Sequence, residues 1–162
     1  MKKGKILVAL MIALGSSAAM AASANSTTAN FQVSATVSPA CVIEATNISF
    51  GAVTPAPSGK VNATGAISST CTKTTAYTLE ITFDGEAYDG KMFHPDAIAS
   101  GDLSEKETSL DFQVGLSQIG DRQKDLTGTG KVEVTTVVAE LPLNQFVKPG
   151  NYSANMHVFL TY

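Results

Sequence analysis

The chain has no tryptophan, 7% aromatic residues, a single arginine (Arg122), two histidines (His94 and His157) and two cysteines (Cys41 and Cys71). Each shortage removes a class of function. Sugar sites rest on aromatic platforms, and few rings are present to build one. Nucleic acid requires clustered Lys and Arg to neutralise phosphates, whereas here the lysines are scattered, so nucleic acid is not an expected partner. There is no GxSxG, no HExxH and no glycine-rich phosphate loop, and the two histidines have no carboxylate or thiol in register. No CxxC pair exists. Enzymatic activity, a cofactor and a metal site are therefore not expected. His94 precedes Pro95 and His157 falls on the polar face of its segment, so both read as solvent-facing.

Long apolar runs are also missing, with one exception. Lys2, Lys3 and Lys5 precede a run from Ile6 to Leu14, which breaks at Gly15-Ser16-Ser17 and leads to Ala19-Met20-Ala21. A membrane-spanning helix requires about 20 apolar residues. The shorter run with its basic flank and small-residue exit reads as a secretory signal peptide, residues 1–21. Its removal leaves 141 residues, enough for one domain, and takes the formal net charge from −3 to −6. In an exported chain, Cys41 and Cys71 are expected to form one disulfide. Closing a loop of about 30 residues stabilises a fold by roughly 3–4 kcal/mol.

What is present is alternation. In residues 30–37, Phe31, Val33, Ala35 and Val37 alternate with Gln32, Ser34 and Thr36, the pattern of a half-buried strand. Ser38-Pro39 then interrupts pairing, which sets the segment apart as an arm hinged before Cys41. Short strands are expected at Cys41-Val42-Ile43 and Ile48-Ser49-Phe50, and over residues 61–72 if Gly65 marks a bulge. Residues 76–83 alternate most clearly, through Tyr77, Leu79, Ile81 and Phe83. Leu110, Phe112, Val114 and Leu116 alternate again, residues 131–141 place Val132, Val134, Thr136 and Val138 on one face, and residues 150–162 run from Tyr152 to Tyr162. Residues 85–108 read as a long acidic loop with a short hairpin, and residues 120–130 as a second loop. No helical period longer than a turn or two appears outside residues 1–21. The pattern predicts an all-β sandwich.

The acidic set Asp84, Glu86, Asp89, Asp96, Asp102, Glu105 and Glu107 matches no calcium-loop spacing and reads as a solvated surface. The Asn-x-Ser/Thr triplets at Asn25, Asn47, Asn62 and Asn151 are expected by chance in so Thr-rich a chain. The distinctive chemistry lies in two alternating segments at opposite ends. A strand at residues 150–162 is a natural sheet edge, and an edge accepts an added strand through its unpaired N–H and C=O groups.

Several segments together resemble the spore coat U domain family, which includes the Csu-type pilins of archaic chaperone–usher pili. They are residues 31–37 leading into Cys41-Val42-Ile43, Asn47-Ile48-Ser49-Phe50-Gly51, Cys71, and Pro149-Gly150-Asn151-Tyr152 through Leu160-Thr161-Tyr162. The resemblance implies an incomplete immunoglobulin-like sandwich that lacks its final strand and is completed by donor-strand complementation. The expected division is a signal peptide (1–21), a donor-strand arm (22–38) and a pilin-like β-sandwich (39–162). Carried onto this sequence, Phe31, Val33, Ala35 and Val37 are the donor plugs. Tyr152, Met156, Val158, Leu160 and Tyr162 form the acceptor edge and chaperone-binding strand. Classical subunits place a tyrosine one residue before the end, whereas Tyr162 is last. The implied function is a structural pilus subunit that inserts its strand into a neighbour's groove. Its implied partners are other pilin subunits, a periplasmic chaperone and an outer-membrane usher, with export through the periplasm to the cell surface for adhesion or biofilm formation. The alternative is a secreted monomeric β-sandwich, a coat or carbohydrate-binding protein with its arm folded into its own sheet.

Overall fold

A computed structural model describes residues 25–84, 90–104 and 106–162. The expected signal peptide, the Asp84-Gly85 turn beyond Asp84, and Glu86, Asp89 and Glu105 lie outside the described residues. The chain divides into two units, Met1–Thr36 and Val37–Tyr162. In the first, the described residues are exposed and in no strand; Phe31 and Val33 are 87% and 84% exposed. Residues 30–37 thus carry a strand's alternation without a strand's pairing.

In the second unit the described strands are, in order, β1 (Cys41–Ala45), β2 (Lys60–Cys71), β3 (Ala76–Phe83), β4 (Lys91–Phe93), β5 (Ser109–Asp111), β6 (Gln113–Leu116), β7 (Gln123–Thr127), β8 (Glu133–Pro142) and β9 (Met156–Thr161). One sheet has the order β1-β2-β8-β6, the other β7-β3-β9, and β4-β5 form a separate ribbon. Every pair is antiparallel. The inner faces share one core, with Ile67, Cys71, Val114, Leu116, Val137, Ala139 and Leu141 from the first sheet against Tyr77, Leu79, Ile81 and Phe83 from the second. Two sheets packed on their apolar faces make a β-sandwich, as expected.

β3 buries every second residue, as its alternation requires. The buried Tyr77 hydroxyl lies 2.9 Å from Ser69 Oγ and donates to Glu133 Oε2 at 3.2 Å. Cys41 and Cys71 are disulfide-bonded, opposite one another in the β1–β2 register. That bond marks one end of the sandwich. β2 ends there, and Thr161 at the close of β9 pairs with Thr78 near the start of β3. β1 therefore begins at the end where β9 finishes, and the two strands run in opposite directions.

Five expectations are corrected. β2 pairs with β8 in unbroken register through Gly65, so there is no bulge. Val61, Ala63, Ile67, Ser69 and Cys71 share a face by simple alternation. Gly65 is required instead by close approach: a Cβ there would lie 2.7 Å from Ile48 Cγ1. Ile48-Ser49-Phe50 is not a strand, because the chain leaves β2 after Thr46, whose N–H donates to the Ala66 carbonyl. The face of β8 carrying Val132, Val134, Thr136 and Val138 is the outer one, with Val132 and Val134 exposed; the buried face is Thr135, Val137, Ala139 and Leu141. Residues 120–130 contain β7, whose Gln123, Lys124, Asp125 and Thr127 give no apolar signal and which forms because β3 offers it an edge. Residues 85–108 hold more than a loop: β4, helix α1 (Pro95–Ser100) and a 3-10 turn (Lys106–Thr108). α1 starts where His94 Nδ1 accepts from the Asp96 N–H at 3.2 Å and stops at Gly101, φ 72°.

Candidate functional site

β9 pairs with β3 from Thr78–Thr161 to Phe83–Met156, and it is the last strand of its sheet. Ahead of β9, the same side of the chain is held by the Asp84 N–H on the Asn155 carbonyl and by mutual bonds of Phe93 and Ser153 at 2.9 and 3.2 Å. No strand of the described residues pairs with the other side of β9. β1 is likewise the last strand of its own sheet. The two free edges face each other across an opening in the sandwich.

That opening is a cleft of three successive cavities. The first, of about 390 Å³, lies between Ala45, Thr46 and Ile48 on one wall and Ala154, Met156 and Val158 on the other, and its floor is Ile67, Ile81 and Val137 from the core. The second, about 480 Å³, continues from Ile48 past Phe50 and Val53 to Met92, Gly150 and Tyr152. The third, about 250 Å³, shares Val53, Leu110, Leu141 and Tyr152 with it and extends to Leu143 and Val147. Lys148 is the only ordinarily charged residue among these linings, and His157 the only histidine. The first and third cavities present mainly apolar surface and the second mainly polar; a trough with core residues for its floor suits an extended segment whose apolar side chains point inward.

The walls are held from outside. Tyr152 donates its hydroxyl to the Lys148 carbonyl at 2.7 Å, and its oxygen lies 3.2 Å from the Glu107 carbonyl. A tyrosine ahead of the penultimate strand of an immunoglobulin sandwich, bonded to backbone a few residues upstream, is the tyrosine corner of that fold. Burial raises the Tyr152 hydroxyl above its ordinary pKa, with the Lys148 charge opposing. His94 does not face solvent as expected: its ring is turned inward, edge-on to Tyr152 and against Gly150 so closely that no Cβ would fit. That contact explains the glycine of Pro149-Gly150-Asn151-Tyr152. The Lys148 ammonium pairs with Asp96 and holds its carboxyl below the usual range through that hydrogen bond and its charge. Gln145 bonds both the N–H and the carbonyl of Asp111. β4, α1 and β5 thus brace one wall of the cleft.

The residues expected to act together divide as follows. Met156, Val158 and Leu160 lie on the inner face of β9, half-buried and packed on the core; the first two line the cleft. Tyr152 lines it too, but ahead of β9 rather than in it, so the expected strand over residues 150–162 is confined to Met156–Thr161. Tyr162 follows β9 and is 60% exposed. Phe31, Val33, Ala35 and Val37 are exposed. His157 faces outward, 3.8 Å from Asp84. Sequence reasoning missed the opposite wall and the floor, Ile48, Val53, Ile67, Ile81 and Val137. Their signal in the sequence is that of any core residue.

Comparison with solved structures finds the CsuC–CsuE chaperone–tip adhesion subunit pre-assembly complex from archaic chaperone-usher Csu pili of Acinetobacter baumannii. The match has 15% identity and a TM-score of 0.50, covering 78% of this chain and 40% of the matched one. A chaperone–tip adhesin complex of CFA/I fimbriae matches at 14% identity and a TM-score of 0.36, over 81% of this chain and 40% of the other. This chain therefore spans less than half the length of either matched chain. No curated protein sequence matches. The Spore Coat Protein U domain matches residues 27–158, from the arm through the cleft-lining residues to the first half of β9, and the chain belongs to that family.

Proposed function

We propose that this chain is a structural pilus subunit whose cleft receives the arm, residues 30–37, of another copy. The observation that carries the reading is the pairing of opposites: β9 is a free sheet edge above an apolar trough, and Phe31, Val33 and Val37 are more than 80% exposed on an arm outside any strand. An added strand satisfies the backbone groups of β9, and its alternate side chains, spaced about 6.6–6.8 Å, fill the trough. Burying three sizeable side chains and one alanine contributes on the order of 5–8 kcal/mol before the cost of ordering the arm. Phe31, Val33, Ala35 and Val37 are the plugs.

An unfilled cleft leaves Met156, Val158 and Leu160 of β9 only half-buried and the edge of β9 unpaired, so the subunit requires a temporary occupant before assembly. A periplasmic chaperone is that occupant, pairing with β9, and an outer-membrane usher is the site of exchange for the next arm. The product is displayed at the cell surface, where it serves attachment or biofilm formation. The relative from Acinetobacter baumannii, described as a chaperone–subunit pre-assembly complex, supports this order. The experiment is co-expression of the chain with its chaperone and usher, with and without residues 22–37. Strand-linked oligomers are expected from the full chain, and a chaperone-bound monomer from the shortened one. Normal polymerisation of the shortened chain sinks the donor assignment.

A further inference from the structure

The linker between arm and domain is short enough to decide which faces of two successive copies meet. From Val37 to Cys41 are four Cα steps, at most about 14 Å. The missing strand of an immunoglobulin sandwich follows its predecessor through a hairpin, so an added strand runs antiparallel to β9. Its first residues then lie beside Thr161, at the disulfide-bearing end, and its last, Val37, beside the residues ahead of β9. That far end is where Phe93 bonds Ser153 and where Asp96 pairs with Lys148. The donor's own domain starts at Cys41. Its disulfide-bearing end must therefore sit against the accepting copy's α1 and the turns around it.

We propose that the cleft at the disulfide-bearing end is an interface for a second copy, docking on the α1-bearing insertion of the copy that accepts the arm; this rests on the arm-in-cleft reading above. The cleft is open, about 770 Å³, and lined by Pro39, Cys41, Thr72, Lys73, Thr75 and Gly130 among others, with Lys73 the only charged residue in the lining. Lys131 follows directly. Neither lysine is in an ion pair among the described residues. The insertion carries the opposite sign, with seven carboxylates against Lys91 and Lys106 over residues 84–108. Two different patches meet head to tail, the arrangement that gives open filaments rather than closed rings. The insertion, unexplained as a site in its own right, thereby has two uses, bracing the trough from one side and meeting the next copy on the other.

Because exposed ion pairs contribute little energy and are screened by salt, proximity is the quantity to measure. Filaments assembled from a mixture of isotope-labelled and unlabelled copies are treated with a water-soluble carbodiimide, digested and analysed by mass spectrometry. Mixed-isotope links from Lys73 or Lys131 to Asp102 or Glu107 are expected, and are lost when residues 22–37 are deleted. Lys73→Glu with Lys131→Glu abolishes the links, as does Asp102→Lys with Glu107→Lys alone, and all four substitutions together restore them in the reverse sense. Filaments that form normally but are linked only through other faces overturn this interface and leave the arm-in-cleft reading standing. Failure of the unaltered chain to form filaments with its chaperone and usher overturns that reading instead.

Discussion

The Tyr152 hydroxyl donates to the Lys148 carbonyl at 2.7 Å, four residues upstream, and lies 3.2 Å from the Glu107 carbonyl. One phenol therefore ties the wall of the cleft both to itself and to the 3-10 turn of the insertion. Tyr152→Phe keeps the ring against His94 and removes this tie. The expected cost is about 1–2 kcal/mol, a fall in Tm of roughly 3–6 °C for a domain of this size. A thermal melt of the domain with its cleft filled by an arm peptide checks it.

Tyr77 and Tyr152 share a titration behaviour. Burial raises both hydroxyls, in Tyr77 with the Glu133 charge adding to it and the Ser69 bond opposing. A phenol raised above its unfolded value near 10 favours the folded state in its neutral form. That stability is fully present below about pH 10 and is lost as the pH climbs through the raised folded values. Unfolding in denaturant should thus become easier above pH 10, and Tyr77→Phe should flatten the decline. An unchanged alkaline slope in that variant places the titration elsewhere.

On the proposed arm-in-cleft reading, Val33→Asp puts a carboxylate where a plug enters the trough. Assembly should be blocked while the melting of the chaperone-released domain is unchanged, since residue 33 lies outside that domain. Ser34→Asp, on the opposite face of the arm, is the control and should still assemble. Size-exclusion chromatography of cross-linked products separates the two outcomes.

Appending a flexible turn and a second copy of residues 30–37 after Tyr162 offers β9 an antiparallel partner within one chain. A monomer that no longer polymerises, with a Tm raised by more than 10 °C, is expected from a burial of several kcal/mol. An unshifted melt counts against the trough as the arm's seat.

Gly65 carries the wall opposite β9. A Cβ there would stand 2.7 Å from Ile48 Cγ1, so Gly65→Val forces residues 46–48 off β2. Overpacking of this kind costs about 1–3 kcal/mol. The telling readout is affinity for an arm peptide, which should fall further than stability does, because Ile48 lines two of the three cavities.

Much of this was legible in the residues. β3 and the inner face of β9 are written in strict alternation, and a chain with only two cysteines leaves no choice of partner for a disulfide. Other parts were hidden for physical reasons. β7 has one apolar residue, Leu126, and exists because β3 has an edge to offer. The outer face of β8 carries two valines, Val134 and Val138, against Val137 on the inner, so composition could not pick out the buried face; position in the sandwich does. Ile48 and Phe50 look like a strand because they are apolar and spaced by two, yet they reach the core from a segment without a ladder. The cleft itself is an absence, and no residue pattern marks where a strand is missing. Only the end of the sheet order at β9 does so.

β1 begins at the end of the sandwich where β9 finishes, with Cys41 bonded to Cys71 there. In a filament joined as proposed, tension enters an accepting domain at Cys41 and leaves along the seated arm at the opposite end. The load then runs lengthwise along the seated strand, so the rungs beside β9 resist together instead of parting one by one. The disulfide sits at the point where the pull arrives and transfers it from the edge strand to β2 in the middle of the sheet. Mechanical toughness of this kind comes from where force is applied, not from any single strong contact.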